Sequence, residues 1–374
     1  MQELGPEARE RYARQLLLPE VGASGQRRLA AARVLCIGAG GLGAPVSLYL
    51  AAAGIGTLGI VDDDRVDTSN LQRQVLFTSA DVGQLKTAAA GRRLRDLNPL
   101  IQVDEHPCRL SADNALDLVG AYDIVVDGSD NFPARYLAND AAVLCGRPLV
   151  HASVFRFEGQ ISVFDATRGP CYRCLFPQPP PAELVPSCAE GGVLGMLPGL
   201  FGSLQALEVV KILLGRNDAL YGRLLTFDGL AMRWRELPVA RDAACPVCGE
   251  HPVIDHPAAA AAAGREPEVL EPALATLNVA ELADQLASGL PVHLIDVRET
   301  AELELARLPG ARHIPLGQLA LHLDSLDPEC EWVVVCQRGP RSERAARQML
   351  EHGLARVRVL SGGIEAWLRN AGPR

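Results

Sequence analysis

Short apolar runs rich in Val and Ile alternate along the chain with longer segments that carry apolar residues at helical spacing. ARVLCIG, TLGIVD, IQVDEH, YDIVVD and PLVHASV are six or seven residues long, bounded by turn residues, and read as strands. GAPVSLYLAAAG and LKTAAAGRRLRDL fall between some of them and read as helices, and GLFGSLQALEVVKILLG is a further buried helix. Such alternation predicts an α/β fold, a mainly parallel sheet covered on both faces. It resumes later, with VHLIDV, WVVVC and RVRVL as strands and NVAELADQLASG and SERAARQMLEHG as helices.

One stretch breaks the pattern. From His251 to Ala273 the chain holds a six-alanine run, four prolines and no amphipathic period, the signature of a linker. The expected organisation is a first domain over 1–250, a linker over 251–275 and a smaller α/β domain over 276–374. No tandem repeat is visible.

Composition narrows the classes. The 374 residues are 48% hydrophobic and 22% charged, as in a soluble globular protein, and aromatics at 5% leave the cores to aliphatic packing. With 36 Lys+Arg against 45 Asp+Glu, the net charge of −9 argues against a nucleic-acid partner. The start is charged and no stretch of about 18 uninterrupted apolar residues occurs, so neither a secretory signal nor a membrane span is expected. The expected compartment is the cytoplasm. There, ten cysteines serve as metal ligands, nucleophiles or small core residues rather than a disulfide scaffold. Cys36, Cys108, Cys145 and Cys330 lie in or beside apolar runs and read as structural.

The first chemistry follows the first strand. Gly38, Gly40, Gly41 and Gly43 form a loop opening a helix, where bare backbone and free N–H groups suit a phosphate. Nineteen residues after Gly43, at the end of the next strand, Asp62 is placed to bind ribose hydroxyls. An NAD-dependent oxidoreductase would use the same loop. The surrounding charges fit it poorly: Asp62 to Asp64, then Ser69, Asn70, Leu71, Gln72 and Arg73, then Lys86, and Asp127, Asp130 and Asn131 after a later strand. Phosphoryl or nucleotidyl transfer uses such a set, because cations offset phosphate charge and a carboxylate holds Mg²⁺.

Arg11-Tyr12-x-Arg14-Gln15, GAGGLG, VDDDRVDTSNLQRQ, Lys86 and DGSDN occur in this order. Together they resemble the adenylating enzymes of the ubiquitin-activating type, in particular the bacterial molybdopterin- and thiamin-pathway members. The resemblance implies a Rossmann-like adenylating domain using ATP. Asp62 would bind the ribose, Asn70, Arg73 and Lys86 the phosphates, and Asp130 the Mg²⁺, with Asp64, Ser69, Leu71, Gln72 and Asn131 completing the nucleotide site. Arg14 would reach the triphosphate of a neighbouring subunit, implying a homodimer.

Cys171 and Cys174, and Cys245 and Cys248, form two C-x-x-C pairs separated by 70 residues. Four thiolates make a closed tetrahedral Zn²⁺ site, structural rather than catalytic; the alternatives are unlinked thiols or a redox pair. Cys188, in PSCAEGGVLG, follows a Pro-rich stretch; composition leaves it inert or reactive, and the resemblance favours a transient acyl disulfide or thioester with a carrier protein. Cys336 ends a strand and is followed by Gln337, Arg338, Gly339, Pro340 and Arg341, a loop whose N–H groups and basic side chains favour a thiolate or persulfide.

With LIDVRE, LPGARHIP and LSGGI-x-AW, this loop resembles a rhodanese sulfurtransferase domain, which implies a persulfide on Cys336. Six residues suit a sulfur-sized substituent better than a bulkier oxyanion, which disfavours phosphatase chemistry.

The two resemblances together imply a fused adenylyltransferase–sulfurtransferase. Its partner would be a small ubiquitin-like sulfur-carrier protein ending in Gly-Gly, and its sulfur would come from a donor such as a cysteine desulfurase or thiosulfate. Besides the oxidoreductase, two alternatives stand here: a conjugation activator forming a thioester at Cys188, and a non-catalytic scaffold.

Overall fold

The computed structural model describes residues 4–179, 192–257, 274–289, 292–304 and 306–371. The chain forms two compact units, Met1–Pro267 and Glu268–Arg374.

In the first unit an eight-stranded sheet runs β3-β2-β1-β4-β5-β6-β7-β8. β1 (Arg33–Ile37), β2 (Thr57–Val61), β3 (Gln102–His106), β4 (Ile124–Asp127) and β5 (Leu149–Phe155) are mutually parallel. Side chains on β1 alternate between two aliphatic layers. Val34 and Cys36 join Leu29, Leu50, Leu58 and Phe201 on one face, and Leu35 and Ile37 join Val125, Tyr136 and Phe164 on the other. Both faces are covered, as the unbroken apolar runs require. Cys36 is a core residue, and burial pushes its thiol up to about 12.

β6 (Glu158–Phe164), β7 (Arg223–Asp228) and β8 (Arg233–Pro238) extend the sheet as an antiparallel meander. The sequence reading did not anticipate these three strands. Every residue of β8 is exposed, so RWRELP shows no apolar periodicity from which an edge strand could be recognised. The helix Met196–Leu213 is long and apolar enough to cross a membrane by length and composition. It instead lays Leu197, Phe201, Ala206 and Val209 into the first core layer.

The second unit carries a five-stranded parallel sheet in the order β11-β10-β12-β13-β9. Its strands are β9 (Ala275–Leu277), β10 (His293–Asp296), β11 (Arg312–His313), β12 (Trp332–Val335) and β13 (Val357–Leu360). Val334 faces Ala345, Ala346 and Met349, while Val333 and Val335 face Leu282, Leu360 and Ile364. Most of the expected linker lies outside the described residues. Its first residues belong to the first unit: Ile254 is buried beside Cys171, Cys245 and Cys248, and its N–H donates to the Pro246 carbonyl.

Candidate functional site

In the first unit the C-terminal ends of β1, β2 and β4 meet. The chain leaves β1 through Gly38 at φ +91°, where a Cβ would stand 2.9 Å from the Gly128 carbonyl oxygen after β4. Gly43 opens the helix Gly43–Ala53 and a Cβ there would overlap the Gly38 carbonyl, so the loop closes only with glycine at these two positions. Asp62 ties the loop to β2, accepting the Ala39 N–H at 2.8 Å and the Asp64 N–H at 2.9 Å. Lys86 is buried, with Nζ 2.7 Å from the Asp64 carboxylate and 4.0 Å from that of Asp62. Burial pushes the Asp62 carboxyl above its ordinary value, against the pull of Lys86 and the two N–H donors.

Arg73 lies beside this loop, its Cδ 3.7 Å from where a Gly41 Cβ would be, and donates to the Ser69 carbonyl at 3.0 Å. Leu71 packs against the core and Gln72 is exposed. Asn70 closes a capping box with Asp67, and Asn131 caps the helix Phe132–Leu144 by accepting the Ala134 N–H at 2.9 Å. These two amides, expected at the nucleotide, therefore also shape their own turns. Asp130 stands exposed on the turn after β4, while the carboxylates of Asp62, Asp63 and Asp64 converge within 4.8 Å.

Arg14 is not brought to this loop within the chain. Its neighbour Tyr12 packs on Gly54, at the far end of the helix Gly43–Ala53. Eleven residues of helix place that end about 16 Å from the glycines.

The two C-x-x-C pairs come together. Cys171 Sγ is 3.9 Å from that of Cys174 and 3.5 Å from that of Cys245, and Cys174 Sγ is 3.4 Å from that of Cys248. Four thiolates about 2.3 Å from a tetrahedral ion would stand about 3.8 Å apart, so the cluster fits zinc. Cys188 lies outside the described residues.

In the second unit Cys336 is buried directly after β12, and its sulfur receives the Gly339 N–H at 3.1 Å. Ser342 Oγ lies 3.4 Å from the sulfur and donates to the Gly339 carbonyl at 2.7 Å. Pro340 opens the helix Pro340–Glu351, so the sulfur sits at its N-terminal end. The basic side chains point to carboxylates. Arg341 makes a two-pronged pair with Glu302 at 2.6 and 2.7 Å, and Arg338 bonds Glu365 at 2.9 Å. Gln337 donates to the same Glu365 carboxylate at 3.2 Å. The sequence reading missed Glu302 and Glu365, which no local pattern marks.

The profile of the ThiF family matches residues 12–247, and that of the Rhodanese-like domain matches residues 278–370. The mouse protein "Adenylyltransferase and sulfurtransferase MOCS3" is 45% identical, over 96% of this chain and 84% of its own length. "Probable adenylyltransferase/sulfurtransferase MoeZ" of Mycobacterium tuberculosis is also 45% identical, over 97% and 93%. "Sulfur carrier protein adenylyltransferase" of Thermus thermophilus is 54% identical over 65% of this chain and 92% of that protein. Among solved structures, E. coli MccB with ATP superposes with a TM-score of 0.56 at 25% identity, covering 64% of this chain and 74% of that one. These relatives do not favour the oxidoreductase, conjugation or scaffold alternatives. The chain belongs to the ThiF family, carries a C-terminal rhodanese-like domain, and is an adenylyltransferase and sulfurtransferase.

Proposed function

We propose that this enzyme adenylates the C-terminal Gly-Gly carboxylate of a small ubiquitin-like sulfur carrier with Mg-ATP, and that sulfur from a Cys336 persulfide converts the product to a thiocarboxylate. The observation that carries the reading is the joining of the glycine loop, Asp62, Asp64 and Lys86 by hydrogen bonds and ion pairs at one sheet edge. That edge is where open α/β sheets bind nucleotides.

Asp62 would hold the ribose, and Asn70, Arg73 and Lys86 the phosphates, with Asp130 as the magnesium ligand. A carrier carboxylate oxygen attacks the α-phosphorus and pyrophosphate leaves. Cations beside the phosphates offset the charge that builds there. An open cleft of about 450 Å³ over β5 to β8, lined by Ser153, Gln160, Thr226 and Arg233, suits an extended tail.

The outer sulfur of the Cys336 persulfide then attacks the acyl carbon and AMP leaves, giving an acyl disulfide. A thiol, for which we propose Cys188, attacks the Cys336 sulfur and releases the thiocarboxylate. The resulting protein disulfide is reduced by an external dithiol. The Gly339 N–H and the helix N-terminus stabilise sulfur-borne negative charge at Cys336.

Zinc on the four cysteines would supply a closed structural cross-link. Arg14, remote from its own glycine loop, would complete the site of a second copy in a homodimer. The sulfur donor would be a cysteine desulfurase or thiosulfate, and the compartment a reducing cytoplasm.

The test is incubation of the enzyme with a Gly-Gly carrier, ATP and a sulfur source, followed by mass spectrometry. The carrier should gain the mass difference between one sulfur and one oxygen. Cys336→Ala should abolish that gain while leaving ATP–pyrophosphate exchange in place. No gain with any Gly-Gly carrier would refute the reading.

A further inference from the structure

A buried polar cluster lies beneath the Gly128–Asp130 turn, and Asp127, expected from the sequence among the charges at the nucleotide, belongs to this cluster instead. Asp127, the last residue of β4, is fully buried, and its carboxylate accepts the Ser129 N–H at 3.0 Å, the Ser129 hydroxyl at 2.5 Å and His151 Nδ1–H at 2.7 Å. Burial works to raise this carboxyl, but His151, Arg135 and Ser129 outweigh it and hold it below its ordinary value. Burial also pushes the His151 imidazole below its ordinary value. The pair is therefore an ionised aspartate receiving a neutral imidazole N–H. His151 Nε2 is buried with no hydrogen-bond partner among the described residues. A charge and a half-satisfied ring inside a strand core cost stability that Val or Leu would not. What the arrangement secures is the direction of the Asp127 carboxylate, and through it the path of the turn that carries Asp130.

Other elements close on the same turn. Arg135, buried on the helix Phe132–Leu144, reaches the Ser129 carbonyl at 3.5 Å. Gln205 donates to the Asp127 carbonyl at 2.8 Å from the opposite face of the sheet. The ring of Tyr172 lies 4.9 Å from that of His151, and the Arg135 charge acts on its hydroxyl. Tyr172 stands between two of the clustered cysteines, Cys171 and Cys174. Its N–H is accepted by Asn139 at 2.8 Å, and the adjacent Arg173 makes a buried two-pronged pair with Asp140 at 2.7 Å.

We infer that His151 and Arg135 are positioning residues that set the Ser129–Asp130 turn for the metal–nucleotide complex, and that Tyr172 links the cysteine cluster to them. The inference rests on the proposed assignment of magnesium to Asp130. It goes further by making that function depend on residues that touch neither nucleotide nor carrier.

The experiment measures ATP–pyrophosphate exchange with a Gly-Gly carrier across a magnesium titration, alongside equilibrium binding of ATP with and without magnesium. His151→Leu should raise the magnesium concentration for half-maximal exchange about tenfold, the worth of one hydrogen bond to a charged group. Binding of metal-free ATP should stay at the wild-type value. His151→Asn, which keeps a donor near the Nδ1 position, should recover most of the loss. Tyr172→Leu should shift the magnesium dependence in the same direction while the zinc content holds, whereas Tyr172→Phe, which keeps the ring against His151 and loses only the hydroxyl beside Arg135, should shift it less. Thiosulfate–cyanide sulfur transfer at Cys336 should be unchanged in all four.

An unaltered magnesium dependence in His151→Leu, or an equal loss of metal-free ATP binding, would overturn the inference. If His151→Leu does not fold, the contrast between Tyr172→Leu and Tyr172→Phe decides the matter by the same readout. A wild-type enzyme that shows no exchange would instead sink the function proposed above.

Discussion

The two units place their reactive groups alike, on loops following the C-terminal ends of parallel strands, yet they differ in how fully the nearby cations are paired. Around the glycine loop, Lys86 is paired with Asp64 and lies near Asp62, but Arg73 donates to the neutral Ser69 carbonyl and pairs with no carboxylate among the described residues, so one guanidinium stays uncompensated beside the loop. Around Cys336, Arg341 is matched by Glu302, Arg338 by Glu365, and the buried Arg298 by Asp296. There the sulfur relies on the Gly339 N–H, Ser342 and a helix end. A site for a polyanion needs mobile or displaceable positive charge. A site for one sulfur needs fixed dipoles at short range, and full positive charges serve it better as braces for the loop.

The largest effects separate the units. Lys86→Met should lower pyrophosphate exchange about a thousandfold, the scale of a lost electrostatic contact to a charged transition state. Thiosulfate–cyanide transfer should be untouched. Cys336→Ala should do the reverse, abolishing transfer and sparing exchange. If either variant disables both assays, the two sites are not independent.

Next in size is loss of the zinc proposed for the cysteine cluster. Metal analysis should find about one zinc per chain. Cys248→Ser, or a strong chelator, should lower the thermal transition of the first unit by about 10 °C or more and leave that of the second in place. A smaller effect is expected for Ser342→Ala. It removes one hydroxyl from the sulfur's surroundings and should slow sulfur transfer about tenfold or less, read as kcat with thiosulfate.

The smallest effect carries a sign. Arg341 and the Glu299 N–H hold the Glu302 carboxyl below its ordinary value, although burial works to raise it. Its stabilising contribution is present above the ordinary glutamate value and is lost as pH falls through the lowered one. Asp62 is raised, so its contribution is fullest below the ordinary aspartate value and wanes as pH rises through the raised one. In calorimetry over an acid series, Glu302→Gln should flatten the acid loss of the second unit. Asp62→Asn should instead relieve the first unit of a cost felt at neutral pH.

Much of this was legible before folding. β1, the glycine loop and the helix Gly43–Ala53 follow from residues adjacent in the chain, because a glycine-rich turn from strand to helix is a local object. The same holds for the strand, loop and helix around Cys336. The meander β6 to β8 was not legible, since β8 buries nothing and its pairing with β7 is set by the partner strand. Nor was His151, because one polar residue in an apolar run gains meaning only when Asp127 faces it from the neighbouring strand.

By itself the sequence determined the alternation of strands and helices that makes two α/β units, the glycines at the turn after β1 and the thiols available for chemistry. Each depends on local backbone preference or on residue type. Tertiary structure decided which charges meet: Lys86 with Asp64, Arg341 with Glu302, Cys171 with Cys245, His151 with Asp127. These pairs join residues that lie 22 to 74 positions apart. Electrostatic and thiolate interactions act over a few ångströms of space whatever the chain distance, so only the packed fold could select them.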